Sequence, residues 1–460
     1  MILWLTGQSE FFSIKPSRRE NFVINSKAFR LYGATLCMLL TICSCRPSRV
    51  PSSTEQPEAK GTPIQEVGQT ETMVADVVKQ CGGLVVRDAK TGRIVEVNVA
   101  ANRSSVDDAA FSTIMQLEGL KKLSVSGGSL TGASLKKLEK QIALEELLLV
   151  DTITSDEDLS ALCQNLKNLR RLTLRRLTKL SDRGLGALNE LKNLRNLSLL
   201  NLSIGGSGFE SVAALASLRA LDLRGCNQLN TEDYQLLAKM TGLTDLKIGG
   251  ASVNADVLRI VALLPNLTGL TVEDATVTAD LWEELFANPQ WSENMTSLAF
   301  ARMYSINDRV LEKLSNFKKL KSLSLRAAPV RGAFVRNLAE DSPLFVTLQT
   351  LGMTKNFATP EEILQLKRFE NLTKLDFSVT PMTPEKIEAL SSLEQLDILF
   401  LSECQLTDAM LEKLVPLKNL SILDVGGNPS LTDKSREILK RFPKLSLLDD
   451  PPTIFEMNVP

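Results

Sequence analysis

A repeat constrains this chain more than anything else in it. From Ile94 to Leu445 the pattern apolar-x-x-apolar-x-apolar recurs fifteen times, the last copy partial, and eleven of the fourteen steps are 24 or 25 residues. The copies include Leu120-x-x-Leu123-x-Val125, Leu144-x-x-Leu147-x-Leu149, Leu169-x-x-Leu172-x-Leu174 and Leu194-x-x-Leu197-x-Leu199. They continue from Leu218, Leu243, Leu267, Met295, Leu320, Leu348, Leu372, Leu396 and Leu420. The longer steps are 26 residues, from Ile94 to Leu120, and 28 residues, from Leu267 to Met295 and from Leu320 to Leu348. One unit of this size cannot bury its apolar face alone, so a fixed period of this length implies stacked units, a solenoid.

Each unit divides in two. The last two leucines of the pattern alternate, as in a strand with one buried face. The following half has helical spacing, as in Leu406-Thr-Asp-Ala-Met-Leu411-Glu-Lys-Leu414, with Thr407 placed to cap it. Thr359-Pro360-Glu361-Glu362 supplies a cap hydroxyl, a proline at the first helical position and a capping-box glutamate, and Thr383-Pro384-Glu385 repeats the first two. Just before the first apolar residue stand Gly119, Asn168, Asn193, Gly242, Asn266, Asn294, Asn371 and Asn419. These residue types tolerate the left-handed backbone that ends a helix, and that role is expected of them.

On these residues the chain resembles the leucine-rich-repeat family over roughly three quarters of its length. The family's asparagine position holds Gly128, Thr152, Cys226, Ala251, Ala275, Thr380, Cys404 and Asn428, so no asparagine ladder is expected. Leu223-Arg-Gly-Cys226-Asn-Gln-Leu229-Asn and Leu401-Ser-Glu-Cys404-Gln-Leu406-Thr-Asp408 are similar to the cysteine-containing and ribonuclease-inhibitor-like classes. The resemblance implies an α/β horseshoe with parallel strands on the concave face and helices on the convex face. It also implies a binding protein. Substrate adaptors of ubiquitin ligases belong to such classes, but no adaptor domain is expected before this array.

The repeats are expected over 120–450, with a C-terminal tail over 451–460 in which Asp449-Asp450-Pro451-Pro452 discourages further strand addition. An N-terminal cap is expected over 73–119, with a short helix Met73–Gln80 and two strands joined at Ala89-Lys-Thr-Gly92. Before it, 46–72 has the Pro, Ser, Thr and Glu content of a disordered tether. Residues 1–45 read as an export signal, with 1–26 an over-extended start. Lys27 and Arg30 precede the short apolar run Leu31–Ser44, below the ~20 residues a membrane span needs. Ile42-Cys43-Ser44-Cys45 resembles a bacterial lipobox, which implies lipid on Cys45 and a membrane-anchored protein facing the periplasm or cell surface. A plain signal peptide, giving a secreted or periplasmic chain, is the alternative.

Composition removes several chemistries. The chain contains no histidine, so histidine-based nucleophile systems and histidine-ligated metals are excluded. There is no Gly-x-x-x-x-Gly-Lys run and no Gly-x-Gly-x-x-Gly. Asp156-Glu157-Asp158 stands at a helix start, where carboxylates act as caps. Seven cysteines at irregular positions make no disulfide framework, and Cys81, Cys163, Cys226 and Cys404 read as small apolar residues. With net charge −1, nothing global attracts nucleic acid or anionic membrane.

Binding residues are expected on strand positions facing away from the core. Arg170, Arg171, Arg175, Arg176, Arg195, Arg219 and Arg224 fall there in consecutive repeats, with Asp245, Glu273 and Asp274 further along. In register, the arginines form one cluster for an acidic protein, peptide or glycan. The 28-residue steps add two loops, and Trp291 in the first is a second anchor candidate. No cofactor and no nucleic-acid partner are expected. The resulting expectation is a non-catalytic binding scaffold of the bacterial cell envelope, held to the membrane only through its lipid. A structural envelope element without a discrete ligand, or an adaptor-like repeat protein, is the alternative.

Overall fold

The computed structural model describes residues 64–100 and 106–445. Cys45, the apolar run before it, most of the expected tether and the tail 451–460 lie outside the described residues. The described strands form one 15-stranded sheet in which sequence order is spatial order. β1 (Leu84–Arg87) and β2 (Ile94–Val99) make an antiparallel hairpin. Every later pairing is parallel. The strands are β3 Lys122–Ser126, β4 Glu146–Val150, β5 Arg171–Arg175, β6 Asn196–Leu200, β7 Ala220–Asp222, β8 Asp245–Gly249 and β9 Gly269–Glu273. They continue as β10 Ser297–Ala301, β11 Ser322–Arg326, β12 Thr350–Gly352, β13 Lys374–Asp376, β14 Ile398–Phe400 and β15 Ile422–Asp424. Short helices connect them, and the fold is the α/β leucine-rich-repeat solenoid that the period implies.

The unit around β5 shows how the core is made. Leu169, Leu172, Leu174, Leu177, Leu180, Leu185, Leu188 and Leu191 are each at most 5% exposed. The two strand leucines point inward, and Leu185 and Leu188 close over them from Asp182–Leu185 and the following 3-10 turn Gly186–Glu190. A tight 3-10 turn suits a unit that must form a strand, a helix and two connections in about 24 residues. Expected caps are present: the hydroxyls of Thr407, Thr359 and Thr383 accept the N–H groups of Met410, Glu362 and Lys386. Glu362 does not complete a capping box; its carboxylate instead pairs with Arg336 of the preceding repeat.

Side chains also tie repeat to repeat. The asparagines before each strand are not left-handed; among their row only Gly119 has a positive φ, +75°. Instead the amides of Asn168, Asn193, Asn266, Asn371 and Asn419 donate to carbonyls one repeat back, those of Ile142, Lys167, Thr241, Val346 and Glu394, at 2.7–3.0 Å. This corrects the helix-ending role expected of them. The left-handed row lies one to three residues after the strands, at Asp151, Arg176, Asn201, Gly225, Gly250, Asp274, Arg302, Ala327, Lys355, Val379, Glu403 and Gly427. There the chain turns off the ladder toward the helix side. At the family's asparagine position, the Cys226 and Cys404 thiols donate to Leu199 and Phe377 carbonyls, and Asn428 accepts the N–H groups of Cys404 and Leu406.

Five strands have only three residues. In three of them, aspartate ends the strand: the carboxylates of Asp222, Asp376 and Asp424 accept N–H groups two residues on, from Arg224, Ser378 and Gly426. That local turn competes with continued pairing.

The N-terminal helix α1 spans Ile64–Gln80, so residues 64–72, expected within the tether, are helical. The reason lies in Glu71. Its carboxylate, 7% exposed, accepts the Ile94 N–H at 2.8 Å and pairs with Arg87 at 3.0 Å, while Val74 and Val78 are buried one and two turns on.

Candidate partner-binding surface

Alternation places two classes of side chain on each strand. On β5, Leu172 and Leu174 face the core, while Arg171, Thr173 and Arg175 are half-buried on the outer face. Parallel register then sets rows across the sheet: Glu146, Arg171, Asn196, Ala220, Asp245 and Gly269 stand side by side. Beside them runs Leu148, Thr173, Ser198, Asp222, Lys247 and Thr271.

The seven arginines do not act as one cluster. Arg176 makes a two-pronged contact with Asp151 of the previous repeat, its Nε donating at 2.6 Å and its Nη2 at 2.5 Å. That contact raises the Arg176 pKa and lowers that of Asp151. Arg219 turns away from the face and donates to the carbonyls of Ala216 and Leu218 at 3.1 and 2.8 Å. Arg224 is held by Asp222 at 2.8 and 2.9 Å and reaches Glu273 at 2.6 Å. Burial opposes its charge, but the bonds to Asp222 and Glu273 outweigh it and its pKa is raised.

Four remain without an ion pair among the described residues: Arg170, Arg171, Arg175 and Arg195. Arg170 and Arg195 are exposed, one residue ahead of their strands. Arg171 and Arg175 each bury an Nε that has no hydrogen-bond partner. Burial, then the neighbouring Arg176, lowers the Arg175 pKa, and Arg224 adds to the repulsion.

The acidic residues further along are mostly engaged. Glu273 bridges Arg224 and Arg302, and Arg302 also holds Asp274 at 2.6 and 2.7 Å. Gly249 lies between Arg224 and Glu273 in strand order; a Cβ there would stand 2.8 Å from the Glu273 carbonyl oxygen. Asp245 differs from these. It is 9% exposed, and its carboxylate takes no hydrogen bond and no ion pair among the described residues. Burial pushes its pKa up to about 6; Lys247 and Arg224 act against this and Asp222 with it.

The longer repeats do not supply an anchor loop. Their extra residues form the short helices Pro289–Asn294 and Leu344–Thr347. Trp291 is 1% exposed and belongs to the core, so the expected contact with a partner is corrected. Asn288 caps its helix and Pro289 starts it, a signal legible in Asn288-Pro289. Sequence reasoning passed over the exposed aromatics Tyr304 and Phe357, 82% and 68% exposed on strand-to-helix loops.

Among the described residues no group of three or more His, Cys, Asp or Glu could hold a metal ion, and no helix is long and apolar enough to cross a membrane. The thiols of Cys163 and Cys404 are pushed up to about 12 and that of Cys226 to about 11, chiefly by burial, so these cysteines stay neutral.

No protein-family model and no curated protein matches the chain. Solved structures similar to it include an internalin from Listeria monocytogenes, 19% identical, covering 85% of this chain and 97% of that one, with a TM-score of 0.37. Another is the yeast Rad7 and Elc1 complex, 15% identical over 81% of this chain and 90% of that one, TM-score 0.42. A third is the TLR13–ssRNA13 complex, 19% identical over 74% of this chain and 54% of that one, TM-score 0.39. At these values the fold assignment rests on the chain's own sheet and register.

Proposed function

We propose that this chain is a non-catalytic binding scaffold that takes an acidic macromolecular partner, a protein, peptide or glycan, on the outer face of its sheet at β5 and β6. The observation that carries the reading is the set of four arginines without an ion pair, Arg170, Arg171, Arg175 and Arg195, two of them with a buried Nε that has no partner. A stacked sheet holds such groups in fixed register, so an incoming anion meets donors already in place.

The test is affinity capture from envelope extract with the full chain, repeated with Arg171, Arg175 and Arg195 all replaced by glutamate. A partner of this face is retained by the parent, released as salt rises because exposed charges are screened over about 8–10 Å, and lost from the triple variant. A partner retained equally by both moves the site elsewhere.

Export to a bacterial envelope with lipid on Cys45 belongs to the same proposal. It is supported by the apolar run Leu31–Ser44 behind Lys27 and Arg30 and by the lipobox-like Ile42-Cys43-Ser44-Cys45. Labelling with a radioactive fatty acid tests it: Cys45→Ala should lose the label, and a variant that keeps it removes the anchor.

A further inference from the structure

We propose that the outer face of β8 carries a receptor site for a single alkylammonium group, centred on the carboxylate of Asp245. The proposal deepens the scaffold reading, since it rests on the same face being a binding surface, but it uses different residues.

Asp245 begins β8 between Ala220 of β7 and Gly269 of β9 in register. Neither neighbour has a side chain longer than a methyl group, so neither reaches out along the row to cover the carboxylate. The carboxylate leans over Gly269: its Oδ2 lies 2.4 Å from where a Cβ on that glycine would stand. Asp245 is nine-tenths buried and no protein group among the described residues donates to its carboxylate, so burial works against its charge without a paired cation to offset it. The cations nearby are committed elsewhere. Arg224 is held by Asp222 and Glu273, and Arg302 by Glu273 and Asp274. Lys247, two residues along the same strand, acts on Asp245 through space but forms no ion pair. The hydroxyls of Thr244 and Thr268, one residue ahead of β8 and β9, donate to the carbonyls of Arg219 and Thr244 instead.

What is missing is a positively charged donor slim enough to reach a carboxylate flanked in its row by alanine and glycine. A primary ammonium fits, with three donors on a slim alkyl stem. A divalent cation does not, because it requires several oxygen ligands and a single uncommitted carboxylate stands here. The ammonium can come from a lysine side chain of a protein partner or from a free amine.

The experiment uses the full chain with Nα-acetyl-lysine amide and putrescine as probes, followed by NMR titration. The expected result at pH 7.5 is saturable binding of at least one probe, weakened at least tenfold in Asp245→Asn and lost with Nε-acetylated lysine. In the parent itself binding should fall at pH 4.5, where Asp245 is protonated, so the test does not depend on how the variant folds. Tighter binding of the lysine derivative assigns the site to a protein side chain, and tighter binding of putrescine to a free amine. Equal binding by parent and Asp245→Asn overturns the proposal. So does binding by Lys247→Gln but not by the parent, which would mean that Lys247 already serves Asp245. The probes carry no anion, so either failure leaves the arginine reading at β5 and β6 standing.

Discussion

The carboxylate of Asp156 accepts both the backbone N–H and the hydroxyl of Ser181, 25 residues on, at 2.8 and 2.6 Å. Asp156 opens one helix and Ser181 stands at the N-cap position of the next, so one side chain joins two repeats. Asp108 does the same to Thr131 at 2.9 and 2.9 Å, and Asp408 to Thr432 at 3.1 and 2.5 Å.

These clasps should make stability acid-sensitive. Bonds from Thr131 and Thr432 lower the pKa values of Asp108 and Asp408; at Asp156 burial works against the charge, but Ser181 outweighs it and the pKa is lowered too. A depressed folded-state pKa contributes stability above the unfolded value, about 3.9, and that stability is lost as pH falls through the lower folded values. Urea midpoints at pH 7 and pH 2.5 should therefore drop further for the parent than for a variant with asparagine at all three positions. Equal drops would deny the clasps this role.

Asp245 should behave in the opposite sense. Its folded pKa, about 6, lies above the unfolded value, so the folded chain binds the extra proton between the two and its stability falls as pH rises through that window. Asp245→Asn should accordingly raise stability at pH 7.5 by about 3 kcal/mol, and the gain should vanish near pH 4. Denaturant melts at the two pH values measure it; a variant less stable at pH 7.5 would show that Asp245 is satisfied in the folded chain.

The strand register is checked by Leu221 and Arg219. Leu221 is 1% exposed and stands between Leu197 and Leu246. Leu221→Ala should cost about 2–5 kcal/mol. Arg219→Ala gives up two bonds from an exposed side chain and should cost less than about 1 kcal/mol. The reverse ranking in equilibrium denaturation would put the register out by one.

Asn371 separates two accounts of the asparagine row. Were its purpose a left-handed backbone, Asn371→Gly would be harmless. Because its amide donates to the Val346 carbonyl at 2.7 Å, loss of the side chain should cost about 0.5–1.5 kcal/mol with either glycine or alanine. Urea denaturation of both variants decides between them.

The architecture was legible in the sequence because period and alternation are one-dimensional signals, and the core leucines Leu169, Leu172 and Leu174 of the unit around β5 follow from them. The caps Thr359, Thr383 and Thr407 were legible for the same reason, since a cap lies within four residues of what it caps. The asparagine row was visible as a pattern, but its bonds run to residues 25 or 26 positions back, and residue type alone suggested the local role. The arginine patch shows the same limit. Strand alternation put Arg171, Arg175, Arg176 and Arg224 near one face. Whether each was free depended on Asp151, Asp222 and Glu273, the first and last in other repeats. Trp291 differs: the length of the repeat alone suggests a loop, but Asn288-Pro289 begins a helix and the tryptophan then fills the core.

The unbroken strand order has one more consequence. Neighbouring strands lie about 4.8 Å apart, so distance along the outer face is a scale graduated once per 24 or 25 residues. Arg171 on β5 and Asp245 on β8 are three graduations apart, about 14 Å. Duplicating or deleting one whole unit between them would lengthen or shorten that interval by one graduation while every remaining core leucine kept an equivalent neighbour. A lineage of such chains can thus adjust the spacing of its charges in fixed increments by unequal recombination, a kind of change that point substitution cannot make.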